Sequence, residues 1–238
     1  MAGKELVPAV RSSAREKDWT KGNVSKNLWL LSWPMVIGQS FNMIGPTLDM
    51  IWVGRLGSAS IAGVGVSSMA VMLVNSLMMG LGMGARAMVA RNIGVGDYNG
   101  ANHTAQQSFI IATIFAGCIV PTGILLARPI LILMGLETDV VDEGAAYMRV
   151  MFVGAVVMTF RMIVESIMQA SGGSVTPMWI AFLTRIFQAI LCPFLVFGLW
   201  IFPDMGVSGA ATADVVAQSS GLVVGFVILF TGRTRLKL

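Results

Sequence analysis

Five ionisable side chains, Asp49, Arg161, Glu165, Arg185 and Asp214, fall inside otherwise apolar stretches of this sequence. A charge inside a hydrophobic helix is costly and is held there by a partner or for a task. Arg161 and Glu165 stand four residues apart, so they are expected to meet on one helix as a structural ion pair, which Arg185 is able to join. Arg185, Gln188 and Cys192 follow at intervals of three and four and share one helical face. Asp214 and Gln218 repeat the one-turn spacing. Asn42 precedes Asp49 by seven residues, or two turns, and lines the same stripe. Acids and amides around a water-poor cavity suit the binding of a small cation. Two carboxylates in one such cavity resist carrying charge together, which suits a proton carrier. We therefore expect Asp49 and Asp214 to titrate as a coupled pair in one cavity, with Asn42 on the stripe of Asp49 offering a further oxygen ligand to a cation. Arg185, Gln188, Cys192 and Gln218 are expected to line the cavity. The competing expectation for Asp214 is a helix-start acid at the membrane interface, facing the helix dipole.

Positioning these groups requires membrane-spanning helices. Six apolar stretches run over 28–53, 61–88, 108–134, 147–170, 178–201 and 207–230, each long enough to cross the hydrocarbon core at about 20 residues per span. Between them lie turn-forming clusters such as Gly54-Arg55-Leu56-Gly57, Gly94-Val95-Gly96-Asp97, Ser171-Gly172-Gly173-Ser174 and Phe202-Pro203-Asp204. The expected division is a polar cytoplasmic tail over 1–26, a six-helix transmembrane lobe over 27–232 and a basic cytoplasmic end over 233–238. The orientation follows from Lys and Arg in the short flanks. Lys4, Arg11, Arg15, Lys17, Lys21 and Lys26 precede the first span, Arg86 and Arg91 follow the second, and Arg233, Arg235 and Lys237 follow the sixth. Gly80, Gly82 and Gly84 alternate inside the second span and are expected to admit close helix packing. Pro34 and Pro46 weaken the first span and are candidate hinges, as are Gly45 and Pro121.

Composition narrows the function. Hydrophobic residues make up 55% of the chain and charged residues 12%, against about 25% charged in a soluble domain. The mean hydropathy is +0.78. A net charge of +4 is too small to imply a nucleic-acid partner. The two cysteines, Cys118 and Cys192, lie in apolar runs, and the single histidine, His103, reads as a loop residue. That inventory offers neither a metal site nor a disulfide framework, and no cofactor is expected beyond a coupling ion. An intramembrane enzyme would need a nucleophile beside a base, or an acidic metal cluster, at helical spacing, so no enzymatic activity is expected.

Several segments together resemble a known family. Asp18-Trp19-Thr20-Lys21-Gly22 leads into Leu31-Ser32-Trp33-Pro34-Met35 and then Leu48-Asp49-Met50-Ile51-Trp52-Val53-Gly54-Arg55-Leu56-Gly57. Gly84-Ala85-Arg86, Gly94-Val95-Gly96-Asp97, Gly172-Gly173-Ser174-Val175-Thr176-Pro177-Met178 and Gly206-Val207-Ser208-Gly209-Ala210-Ala211 follow in order. This series resembles multidrug and toxic compound extrusion (MATE) transporters over about residues 18–232. The resemblance implies an all-α integral membrane protein, a six-helix bundle like the N-terminal lobe of a twelve-helix transporter. Its second lobe would come from a missing C-terminal half or another chain. It implies a secondary antiporter in the inner (plasma) membrane, exporting amphipathic, often cationic, organic compounds in exchange for H⁺ or Na⁺. The resemblance also places Asp49 in the family's cation site. Gln188 and Cys192 stand where the family commonly has Asn and Asp, and a thiol is a poor ligand for sodium. Asp214 stands where a small hydroxyl residue is common. Competing expectations are a lipid-linked oligosaccharide flippase of the same superfamily, with Arg161 and Arg185 holding pyrophosphate, and a non-transporting membrane assembly partner.

Six spans and the Lys/Arg asymmetry put both termini in the cytoplasm. A reporter fused after Leu238 should be active only in its cytoplasmic form; activity of a strictly periplasmic reporter at that point would reverse the orientation.

Overall fold

A computed structural model of the chain describes residues 23–198 and 205–231. The expected tail up to residue 22, the Phe202-Pro203-Asp204 turn and the basic end over 233–238 lie outside the described residues. Asn23 opens the first helix by accepting the Ser25 amide at 3.1 Å, and α1 (Val24–Val53) runs on through Pro34 and Pro46. The helix thus starts inside the segment assigned to the tail, because a side-chain cap rather than hydropathy sets where it begins. α2 (Ser58–Gly94), α3 (Tyr98–Leu133), α4 (Thr138–Ala170), α5 (Val175–Val196) and α6 (Gly206–Phe230) follow.

Most boundaries extend beyond the apolar stretches. α3 begins at Tyr98, where Asp97 accepts the Gly100 amide at 2.8 Å, so His103 lies in a helix and not in a loop. At 1.5 Å per residue α2 and α3 are on the order of 55 Å long, against ~30 Å of hydrocarbon, so their ends project beyond it. α5 is the exception. It stops at Val196 instead of reaching 201, and Gly198 then takes φ of 61°, a left-handed turn. Among the described residues, α2 to α6 are long and apolar enough to cross a membrane. α1 is long enough but less apolar, because Gln39, Asn42 and Asp49 interrupt it.

The hub is α4, which packs against α2, α3 and α6 and buries residues from Val140 to Met168. α5 lies on α6, and α1 lies chiefly on α5 rather than on its sequence neighbour α2. The α2–α4 contact is a backbone approach. A Cβ at Gly63 would sit 2.9 Å from the Gly144 nitrogen and 3.0 Å from the Val140 carbonyl. Ser67 ties the same contact by donating its hydroxyl to the Gly144 carbonyl at 2.9 Å. Small residues that let backbones touch take the place of the hydrophobic effect, which is weak between helices in lipid. The alternating run Gly80, Gly82, Gly84 is only partly such a contact: a Cβ at Gly82 would sit 3.1 Å from Met162 Cγ and Ser166 Oγ, whereas Gly80 and Gly84 face open space.

Two apolar clusters cap the ends of the bundle. One gathers Val53, Val64, Tyr147, Met151, Leu195, Val207 and Ala210. The other gathers Val89, Ala101, Ile163, Ile167, Ile180 and Leu229. Along α5 and α6 the polar residues Arg185, Gln188, Asp214 and Gln218 fall between the members of these two clusters.

Gly63→Ala should lower unfolding stability in detergent by about 1–3 kcal/mol, since the atoms a methyl group would meet are backbone atoms of Gly144 and Val140. Gly80→Ala should leave the unfolding midpoint unchanged or raise it. Equal loss in both variants would remove the close approach as the cause.

Candidate functional site

The polar layer is a chain of hydrogen bonds across α1, α4, α5 and α6. Asp49 and Asp214 are buried, with 4% and 6% of their surface exposed, and Arg161 and Arg185 are 5% and 8% exposed. Gln188 donates its Nε2 amide to Asp49 Oδ1 at 3.0 Å, and the Cys192 thiol faces the same oxygen at 3.9 Å. Arg185 donates Nη1 to Asp214 Oδ1 at 2.9 Å and also to Gln188 Oε1. Gln218 lies 3.4 Å from Asp214 Oδ1. Arg161 is bound to Glu165 Oε1 through Nε and Nη2, both at 2.8 Å.

The two ion pairs meet at Asn42. Its Oδ1 accepts from Arg161 Nη2 at 3.3 Å and from Arg185 Nη2 at 3.5 Å, while its own amide donates to Gln39 Oε1 at 3.2 Å. α1 accommodates this by a glycine. A Cβ at Gly45 would overlap the Arg185 guanidinium. Pro34, Gly38, Gly45 and Asp49 are the buried positions of α1 through this region, at spacings that keep them on one stripe.

The structure brings some of the expected site residues together and keeps others apart. Asp49 and Asp214 share one buried layer, but Asp214 does not touch Asp49; Arg185 holds it, and Gln188 links the two. Asp214 is no interfacial helix-start acid, since it lies more than two turns inside α6 and is buried. Asn42 does not offer its oxygen to the same point as Asp49, because two guanidinium groups already occupy that oxygen. Arg185, Gln188, Cys192 and Gln218 all point into the layer. Among the described residues, Arg185 is linked to Arg161 and Glu165 through Asn42.

Tyr147 of α4 was not among the expected site residues. It is buried and interacts electrostatically with Asp49, Asp214 and Cys192. Its signal was its spacing of fourteen residues from Arg161, roughly four turns along α4. A cavity of about 150 Å³ opens beside the layer between α1, α2, α4 and α5. Pro34, Met79, Met83, Met162, Arg86 and Glu165 contribute to its wall. Arg86 Nε is buried there without a hydrogen-bond partner. A methionine-rich wall adapts to varied apolar shapes.

A bundle of long apolar helices with a buried charged network, and a cavity that runs from it to the α4–α5 turn, has the architecture of a membrane transporter lobe. The chain belongs to the MatE family, whose model matches residues 34–194. It is 26% identical over 208 residues to a probable multidrug resistance protein NorM of Thermotoga maritima, covering 87% of this chain and 45% of that protein. It is 24% identical over 212 residues to a FAD transporter of Shewanella oneidensis, covering 88% and 47%. The solved structure of a MOP superfamily transporter from Pyrococcus furiosus, described as having a binding pocket of reverse polarity, superposes with a TM-score of 0.84. It is 29% identical and matches 91% of this chain and 47% of its own. The chain spans about half the length of the curated relatives it matches.

The Arg185–Asp214 pair should show strong coupling. Removing one partner of a buried pair leaves an uncompensated charge and costs about 3–5 kcal/mol. Arg185→Gln and Asp214→Asn should each lower stability in detergent, and the double variant should lose much less than their sum. Additive losses would mean that the two side chains do not interact.

Proposed function

We propose that this chain is the N-terminal lobe of a secondary antiporter that exports amphipathic, often cationic, organic compounds in exchange for H⁺ or Na⁺ by alternating access. Asp49 is the coupling residue in this reading. The observation that carries it is the environment of that carboxylate. It is buried on α1, and its hydrogen-bonding neighbours are the Gln188 amide and the Cys192 thiol, both uncharged donors. A buried carboxylate with only neutral donors is the group whose charge is most readily changed by an arriving cation. The second six-helix lobe comes from a longer chain or from a partner chain. The protein resides in the plasma membrane with both termini cytoplasmic.

The family and the multidrug-resistance relatives support export, and the methionine-rich cavity suits amphipathic compounds. The flippase reading receives less support. Arg161 and Arg185 direct their guanidinium groups at Glu165 and Asp214, which leaves them poorly placed to hold a pyrophosphate.

Asp49→Asn, introduced into the fully assembled protein, should abolish cation-driven efflux of organic cations while membrane insertion is retained. The measurement is efflux from inverted vesicles under an imposed proton or sodium gradient. Unchanged transport with an unchanged response to both gradients would remove Asp49 from the mechanism.

A further inference from the structure

Arg185 sits among the oxygens of the polar layer. Around it the layer presents four oxygen-bearing side chains: Asp49, Asp214, Gln188 and Asn42. Arg185 donates to three of them, Asp214 and Gln188 through Nη1 and Asn42 through Nη2. The fourth, Asp49, accepts from Gln188 and Cys192. The second observation is independent of the hydrogen bonds. Gly45 leaves on α1 the volume that the guanidinium fills, and any Cβ there would overlap it. The pocket thus has room for a guanidinium and turns its oxygens toward the two terminal nitrogens, while Nε is buried without an acceptor.

We infer that Arg185 is the resident cation of this lobe, occupying with its guanidinium the oxygens of Asp214, Gln188 and Asn42 that sodium would need, so that this lobe excludes sodium and leaves Asp49 to exchange a proton. Sodium prefers several oxygen ligands together. Here the remaining contacts of Asp49 are an amide nitrogen and a thiol. The charged and titratable groups that face Asp49 are Arg185 and Cys192 from α5, Asp214 from α6 and Tyr147 from α4. The proton half of this inference rests on the antiport reading; the exclusion of sodium does not, because it is a binding property.

The test is a thermal-unfolding comparison of the purified, fully assembled protein in sodium chloride and in choline chloride at equal ionic strength. Wild type should show no difference. Arg185→Gln, purified in sodium, frees the oxygens and should gain a sodium-specific rise in midpoint of roughly 3 °C or more at tenfold excess over the dissociation constant. Arg185→Gln combined with Asp214→Asn should not gain it. A saturable sodium-specific rise in wild type that Asp49→Asn abolishes would overturn the inference without any Arg185 variant. An Arg185→Gln protein that folds but ignores sodium would overturn it as well. Transport enters neither arm, so failure here is separable from failure of the antiport reading.

Discussion

The structure depends on how buried charge is neutralised without water. An unpaired charge at mid-depth in a membrane is costly, so the bundle holds together only if its acids and arginines find each other. Two of the three acids in the layer do so directly, Glu165 with Arg161 and Asp214 with Arg185. The pairs have different geometries. Arg161 and Glu165 lie on one helix and join without involving any other element. Arg185 and Asp214 lie on α5 and α6 and hold those two helices in register. Asn42 then places α1 against both arginines. The polar layer therefore fixes the arrangement of four helices, while the apolar clusters above and below it supply contact area.

The glycines serve the same constraint. An arginine reaches across a helix interface only if the opposing helix makes room, and Gly45 does so for Arg185. Gly221 of α6 does something similar near α5 and α4, where a Cβ would sit 2.6 Å from Thr184 Oγ1 and 3.8 Å from Arg161 Cδ. Gly63 and Gly144 act on the far side of α4, where backbone meets backbone. A side chain at Gly45 would displace the Arg185 guanidinium from the layer, and one at Gly63 would push α2 and α4 apart.

Much of this was legible in the sequence, and what was missed has a physical reason. The six helices follow from apolar runs and turn clusters, and the Arg161–Glu165 contact follows from a spacing of four. The faces of Arg185, Gln188 and Cys192, and of Asp214 and Gln218, follow from the helical period. Helix ends were misplaced where caps such as Asn23 and Asp97 carry a helix beyond its apolar run. The contact of Asp214 with Arg185 was not legible, because periodicity reports the face of one helix and says nothing about which side chain crosses from the next. Gly45 read as a weak point beside Pro46 for the same reason. Its purpose is visible only once α5 is laid against α1.

Gln188 is what makes two separate carboxylates into one unit. Its oxygen accepts from Arg185 and its nitrogen donates to Asp49, so the two ends of one amide face opposite charges. Turning the amide over would set its nitrogen against a guanidinium and its oxygen against a carboxylate, which is unfavourable at both ends. While Asp49 is charged, both ends hold the amide in place. A neutral Asp49 would still accept from the amide but more weakly, so Gln188 is the side chain that links Asp49 to Arg185 and Asp214 without a direct contact between the acids. α1 is attached to the layer at few points, through Asn42, Gly45 and Asp49, and it packs chiefly on the helix that carries Gln188. The helix with the fewest contacts to the rest of the bundle is thus the one that carries Asp49, and its polar attachments are divided between that carboxylate, bound to Gln188, and Asn42, bound to the two arginines.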